Sequence, residues 1–188
     1  LLHTKQKRVL FAKFAKMAYK PIEETRNFAR SNGFTKTKLI DIEGAQVYFF
    51  NSKTDIVIAA RGTQPSELND LYADLEIFKA DSVTGYKVHQ GFKEEVDKVY
   101  DSVLALVEQH HDSKKIWVCG HSLGGAMATI LAQRLEHTGG FDVDTLFTFG
   151  SPRAGGPRFS AWCNKHLKHQ RFVNNNDVVP CIPTVFRW

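Results

Sequence analysis

The sequence is poor in the features that mark disulfide-rich, metal-binding and membrane-spanning proteins. Its 188 residues include three cysteines, Cys119, Cys163 and Cys181, whose spacing is not that of metal ligands. An odd number leaves at least one thiol free, which favours a reducing compartment, although secreted enzymes with a spare thiol exist. The longest apolar runs, such as Ile56 to Ala60, fall far short of the ~20 residues that cross a bilayer. We therefore expect no transmembrane segment, and the compartment stays open.

The basic residues do not form the pattern of a nucleic-acid-binding protein. The formal net charge is +5, but the lysines and arginines are scattered, and the aromatic residues fall in apolar patterns rather than in a stacking platform. We therefore expect no nucleic-acid partner. A hydrophobic fraction of 43% in a chain of this length is sufficient for one globular domain with a buried core.

Alternating strand and helix patterns predict the fold class. Runs rich in β-branched and aromatic residues predict strands, and apolar residues three and four positions apart predict helices. The predicted strands are Ala45 to Phe50, Asp55 to Ala60, Ile116 to Cys119, Thr145 to Phe149 and Arg171 to Asn174; the predicted helices are Lys7 to Tyr19, Pro21 to Ser31, Gly91 to His110, Gly125 to Leu135 and Pro157 to His166. This order predicts an α/β domain with a mostly parallel sheet, helices on both faces and an antiparallel hairpin at its start.

The most informative segment runs from Gly120 to Gly125 and reads Gly-His-Ser-Leu-Gly-Gly. Gly120, His121, Ser122 and Gly124 fit the G-x-S-x-G nucleophile elbow, a tight turn that joins a strand to a helix and imposes strained dihedral angles on its serine. Crowding of the backbone excludes side chains at the two glycines. We expect the hydroxyl of Ser122 to stand exposed above the sheet near a helix N-terminus, although a plain connecting turn gives the same short pattern.

A serine nucleophile needs a base, an acid that orients the base, and N–H donors for the oxyanion. Thr63 follows a predicted strand and offers an N–H group and a hydroxyl, and the N–H of Leu123 is the expected second donor. Asp177 follows the last predicted strand, where a doubly wound hydrolase carries its acid. Thr63 as an ordinary turn residue and Asp177 as a capping aspartate are the alternatives.

Taken together, these segments resemble the lipase class 3 family, the fungal-lipase-like group of α/β-hydrolases. The matching segments are Arg61-Gly62-Thr63, Asp74-Leu75, His89-Gln90-Gly91-Phe92, Gly120 to Gly125, Thr148 to Arg153 and Asn176 to Pro180. The resemblance implies that Ser122 is the nucleophile, Asp177 the acid, and Thr63 with Leu123 the oxyanion hole. It also implies an α/β-hydrolase fold and a reaction that requires neither a metal nor an organic cofactor.

Members of this family carry a short lid after the oxyanion segment, and the sequence has a candidate at that place. Leu68, Leu71, Tyr72 and Leu75 are spaced as one apolar stripe of a helix among acidic and amide residues. Such a stripe could cover the site in water and face lipid when open. A helix that is permanently packed on the domain is the alternative.

The sequence departs from the family at the catalytic base. The family's histidine follows the aspartate, but no histidine lies between Asp177 and Trp188, and the eight histidines present all come earlier. Chain order and geometry oppose a catalytic role for each of them. Two explanations remain: the sequence ends short of the native C-terminus, which we favour because Thr63, Ser122 and Asp177 are all kept, or the protein has lost its base.

The predicted activity is ester hydrolysis by a triacylglycerol lipase or carboxylesterase, with a lipid or small ester as substrate and transient contact with a lipid interface. A phospholipase A1 or a feruloyl esterase would use the same residues with a different acyl pocket. A catalytically inactive relative that binds lipid or a partner is the alternative outside the enzymes. The sequence does not indicate the oligomeric state.

Overall fold

The computed structural model describes residues 4–62, 79–174 and 179–182. The helices in these residues are α1 (Thr4–Met17), α2 (Ile22–Ser31), α3 (Gln90–His110), α4 (Leu123–His137) and α5 (Pro157–His166). The strands are β1 (Lys36–Ile42), β2 (Ala45–Asn51), β3 (Asp55–Ala60), β4 (Lys79–Asp81), β5 (Lys87–His89), β6 (Lys115–His121), β7 (Val143–Phe149) and β8 (His169–Phe172). A short 3-10 turn, Val179–Cys181, follows β8 in the chain.

Six strands form the main sheet in the order β1-β2-β3-β6-β7-β8, and β4 pairs with β5 in a separate two-stranded sheet. The predicted hairpin is confirmed, since β2 and β3 are antiparallel. The pairs β3–β6, β6–β7 and β7–β8 are parallel. Strand β1, which extends the antiparallel part, was not predicted. Lys36, Lys38 and Asp41 interrupt its apolar residues, because β1 is an edge strand whose polar side chains face water.

Successive residues of the central strands enter two different cores, one on each face of the sheet. Val57 and Ala59 of β3 belong to one core, whereas Ile56 and Ile58 belong to the other. Side chains of a strand point alternately to opposite faces, so a strand buried on both sides reads as a continuous apolar run. This explains why the runs in β3 and β6 show no polar alternation.

Helices α1 and α2 cover one face of the sheet, and α3, α4 and α5 cover the other. On the first face, Phe11 of α1 stacks on Phe147 of β7 with ring centroids 4.4 Å apart, and Phe14 is fully buried. Helix α1 is therefore interpreted as part of the core, with its lysines in solvent. Within the described ranges, no helix combines the length and the apolar character that crossing a bilayer requires.

The carboxyl ends of the parallel strands meet at one edge of the sheet. Strand β3 ends at Ala60 opposite Gly120, and His121 at the end of β6 pairs with Phe149 at the end of β7. The last strand, β8, begins two residues earlier than predicted and ends at Phe172 beside Phe149. Ligands of open α/β sheets bind outside this edge. Segments following β3, β6 and β7 are thereby brought together there.

Candidate active site

Ser122 occupies a strained turn between strand β6 and helix α4. Its dihedral angles are φ 54° and ψ −130°, a region that side-chain-bearing residues rarely adopt. Its N–H donates to the carbonyl of Phe149 at 2.9 Å, and its own carbonyl accepts from Gly125 at 2.8 Å. The strand–turn–helix that the sequence pattern predicts is therefore present. The catalytic role of Ser122 stays a prediction.

The two glycines of the turn are required by contact with backbone atoms. A Cβ atom on Gly120 would lie 2.1 Å from the carbonyl oxygen of Gly124. A Cβ atom on Gly124 would lie 2.3 Å from the carbonyl oxygen of Ala60, at the end of the neighbouring strand. Backbone atoms cannot move aside as flexible side chains do, so the first turn of α4 is fixed against the ends of β3 and β6.

Gly62, the last described residue before Thr63, also contacts the elbow. A Cβ atom on Gly62 would lie 2.8 Å from the amide nitrogen of Gly124 and 2.6 Å from the hydroxyl oxygen of Tyr19. The segment that leads to Thr63 therefore runs directly beside the helix N-terminus that begins at Leu123. The first N–H groups of a helix have no partner within the helix, which leaves the N–H of Leu123 suited to an oxyanion.

Tyr19 supports the elbow from the end of α1, a role that sequence reasoning missed because no local pattern marks it. Its hydroxyl donates to the carbonyl of His121 at 3.1 Å and lies 3.3 Å from the Nδ1 atom of the same residue. The guanidinium of Arg61 lies 5.9 Å from the centre of the Tyr19 ring and donates to the side-chain oxygen of Gln46. His121 is half-buried in this cluster.

The expectation that Ser122 stands exposed above the sheet is wrong for this structure, in which the residue is 2% exposed. The turn that carries the serine beyond the end of β6 lies between the ends of β3 and β7, and the segment after β7 packs against the first turn of α4. A Cβ atom on Gly125 would lie 2.6 Å from the Cβ atom of Ser151, a buried residue of that segment. At 2% exposure, Ser122 is out of reach of an ester unless residues around it move.

Two histidines near the sheet lie in surroundings that keep them neutral. Burial lowers the pKa of His89, whose ring stacks on Phe92 at 4.3 Å and whose ring nitrogens have no hydrogen-bond partner in the described part of the chain. Burial and then the charge of Arg171 lower the pKa of His169 to about 4, and its Nε2 atom lies 2.8 Å from the hydroxyl oxygen of Thr148. A histidine with so low a pKa is a weak base at neutral pH.

Several predicted site residues lie outside the described residues: Thr63, Asp177, and the candidate lid residues Leu68, Leu71, Tyr72 and Leu75. The turn Val179–Cys181, whose first two residues are buried, begins two residues after Asp177. Arg171 of β8 donates from its Nη2 atom to the carbonyls of Ser151 and Pro180. Sequence reasoning also missed this contact, because it joins segments that are distant in the chain.

All three cysteines are free thiols. Burial raises the pKa of Cys119, which lies fully enclosed in β6 three residues before Ser122, and raises that of Cys163 in α5 to about 12. Cys181 is exposed. The two buried thiols are therefore protonated at neutral pH and behave as small apolar side chains. Among the described residues, no three His, Cys, Asp or Glu side chains cluster as metal ligands do.

Comparison with known families agrees with the strand–turn–helix at Ser122. The sequence profile of the family described as Lipase (class 3) matches residues 57–187, which includes most of β3, the elbow and the turn after β8. This chain belongs to the class 3 lipase family. The predicted family is therefore confirmed.

Individual relatives of this class 3 lipase family member come from bacteria and fungi. It is 34% identical over 158 residues to a lipase of Rhizomucor miehei, which covers 79% of this chain and 43% of the relative. It is 32% identical over 155 residues to the toxin TseL of Vibrio cholerae, which covers 81% of this chain and 23% of the relative. The chain thus spans less than half the length of these curated relatives.

A solved structure supports the fold of this class 3 lipase family member. Lipase II from Rhizopus niveus superposes with a TM-score of 0.83, covering 95% of this chain and 74% of that chain at 24% sequence identity. The structural neighbours are fungal lipases with the α/β-hydrolase fold. The predicted fold class is confirmed, and at this identity the likeness concerns the fold alone.

Proposed function

We propose that this class 3 lipase family member hydrolyses carboxylic esters of lipids, with Ser122 as the nucleophile. The observation that carries the proposal is the positive φ of Ser122 in a turn where glycines hold a parallel strand against a helix N-terminus. Membership of a family described as lipases favours an acyl ester as substrate. The name of the Rhizomucor miehei relative favours a lipid as the source of that ester.

In the proposed reaction, the Oγ atom of Ser122 attacks the ester carbonyl and forms a tetrahedral intermediate. The N–H groups of Leu123 and Thr63, with the Thr63 hydroxyl, stabilise its oxyanion, and each donor typically contributes a few kcal/mol. A histidine takes the serine proton and passes it to the departing alkoxide, while Asp177 orients the imidazole and stabilises its charged form. Water then releases the fatty acid from the acyl-enzyme. The histidine is not assigned to a residue.

The burial of Ser122 gives the proposal a second part, in which the apolar stripe Leu68, Leu71, Tyr72 and Leu75 acts as a lid. Apolar residues on one side of a helix are more stable in contact with a lipid surface than in contact with water. A lid that opens only at such a surface would link access to Ser122 with contact to lipid. The sequence spacing supports this part of the proposal.

The proposal is tested with an active-site-directed fluorophosphonate probe on native, full-length protein. Labelling is expected for the wild type and for Ser160→Ala, which removes an exposed serine of α5, and no labelling is expected for Ser122→Ala. Loss of the nucleophile typically lowers kcat by roughly 10⁶-fold. Release of the carboxylic acid from an acylglycerol, a phospholipid and a feruloyl ester then identifies the substrate class. An unlabelled wild type would reject the hydrolase and favour a lipid- or partner-binding relative.

A further inference from the structure

The segment after strand β7 is held against the elbow. The carbonyl of Phe149 accepts the N–H of Ser122 at 2.9 Å, and Ser151 packs against Gly125 in the first turn of α4. Gly150 has a φ of 56°, and its N–H donates to the carbonyl of Phe172 at 2.9 Å. The position of residues 149–151 is therefore coupled to the position of Ser122.

A second segment, Val179–Cys181, begins two residues after Asp177. Val179 and Pro180 are buried, and the N–H of Ile182 donates to the carbonyl of Val179 at 3.1 Å. The carbonyl of Ile182 accepts the N–H of Arg153 at 2.8 Å. This turn is thus packed on the segment that follows β7, and it fixes the chain immediately after Asp177.

One nitrogen atom joins the two segments. The Nη2 atom of Arg171 donates to the carbonyl of Ser151 at 3.0 Å and to the carbonyl of Pro180 at 2.8 Å. Both acceptors belong to buried residues, whose carbonyls need a donor, and a guanidinium donates stronger hydrogen bonds than a neutral group does. Arg171 itself is exposed on the short strand β8. It therefore acts as a bridge across the surface, outside the two cores.

We propose that Arg171 is a positioning residue that sets the distance between the Ser122 elbow and the segment that carries Asp177. This inference rests on the proposed function, in which the serine, the histidine and Asp177 must stay within hydrogen-bond reach of one another. A displacement of about 1 Å can lower the rate of such a site about 100-fold. The bridge limits movement of this kind on the acid side of the site.

The test compares Arg171→Met and Arg171→Lys with the control Arg8→Met. Arg8 of α1 is exposed and donates at 3.0 Å to the side chain of Gln170, which precedes Arg171 in β8. It has no hydrogen bond to residues 149–151 or 179–182 in the described part of the chain. With a soluble ester, Arg171→Met is expected to lower kcat about 10- to 100-fold while KM changes less than about threefold. Arg171→Lys keeps an ammonium donor and is expected to restore part of the loss. Arg8→Met is expected to match the wild type.

The pH profile separates positioning from a general loss of stability. A carboxylate near an imidazole raises its pKa, so a misplaced Asp177 should move the acidic limb of kcat/KM to lower pH in Arg171→Met. Thermal unfolding is followed in parallel. Arg171→Met is expected to fold, because loss of the guanidinium group leaves no cavity in the core. An unchanged profile with unchanged kcat, or equal losses in Arg171→Met and Arg8→Met, would overturn the proposal.

Hydrogen–deuterium exchange distinguishes failure of this inference from failure of the proposed function. Arg171→Met is expected to increase exchange in residues 179–182, whereas exchange in α4 stays unchanged, and this readout requires no activity. A wild type that the fluorophosphonate does not label would reject the hydrolase and with it the catalytic role of the bridge. A labelled wild type whose exchange in residues 179–182 is unaffected by Arg171→Met would reject the bridge alone.

Discussion

Replacement of Gly124 by alanine tests whether the backbone contacts of the elbow set the geometry of the site. The new Cβ atom would lie 2.3 Å from the Ala60 carbonyl oxygen, 2.7 Å from the Gly62 nitrogen and 2.8 Å from the Arg61 carbonyl carbon. An ordinary carbon–oxygen contact is about 3.3 Å, so α4 must move away from the end of β3 by about 1 Å. We expect a loss of about 1–3 kcal/mol in the free energy of unfolding from this overpacking.

The same movement shifts the N–H of Leu123 relative to Ser122, so the rate of fluorophosphonate labelling should fall about 100-fold. Gly91→Ala is the matched control. A Cβ atom on Gly91 would meet its nearest neighbours, atoms of the His89 ring, at 3.5 and 3.6 Å, and alanine favours the helix by about 0.5–1 kcal/mol. Labelling of Gly91→Ala should stay within about twofold of wild type, since the new methyl group makes only ordinary contacts.

Equal labelling rates in Gly124→Ala and wild type would refute the reasoning, because they would mean that the contact between α4 and β3 can relax without displacing the site. Thermal unfolding and circular dichroism of both variants show whether any loss reflects unfolding instead. A Gly124→Ala protein that is folded, less stable and slowly labelled is the expected result.

Two further predictions concern acid stability and the lid. In the unfolded chain His169 takes up a proton below its ordinary pKa of 6.5, whereas in the folded chain its pKa is about 4. The free energy of unfolding therefore falls as the pH is lowered from 6.5 to 4. From pH 7.5 to 5 the loss is about 2 kcal/mol in the wild type and should be absent for this group in His169→Asn, measured by urea unfolding. Leu71→Asp should weaken hydrolysis of emulsified lipid more than that of soluble esters, whereas Asn69→Asp, which adds the same charge off the apolar stripe, should affect both little.

Each of these predictions has an outcome that contradicts it. If the free energies of unfolding of the wild type and His169→Asn fall in parallel with pH, the titration of His169 does not contribute to acid stability. If Leu71→Asp reduces activity on emulsified and soluble substrates by the same factor, the apolar stripe is not a lid.

Local sequence patterns predicted the bounds of two elements. Helix α5 lies at the predicted bounds, Pro157–His166, because proline suits a first helical turn and its apolar residues recur at helical spacing. Strand β3 also has its predicted bounds, since an apolar run of five residues between polar and turn residues suits a doubly buried strand. These signals lie within a few residues of the element they define.

Other elements carry weak local signals. Strand β1 mixes lysine, threonine and aspartate with apolar residues at the sheet edge. Strands β4 and β5 are three residues long, too short to show a period. Strand β8 was placed two residues late because His169 and Gln170 are polar residues that are partly buried by their neighbours. Such strands are specified by the partner they pair with rather than by their own composition.

The candidate site also contains features with a local sequence signal and features without one. The glycines around Ser122 could be predicted from the sequence because the turn itself requires them. Packing of Ser151 against Gly125, by contrast, joins two distant segments, and support of the elbow depends on Tyr19, which lies more than 100 positions from His121. Contacts of this kind follow from the assembled fold and have no local signature.

The backbone conformation of Ser122 has a consequence for the stability of the fold. At φ 54° and ψ −130°, glycine would be free of the strain, of order 1–3 kcal/mol, that a side chain incurs there. Serine at this position therefore carries a cost in stability that glycine would avoid, and the proposed role as nucleophile supplies a reason for that cost.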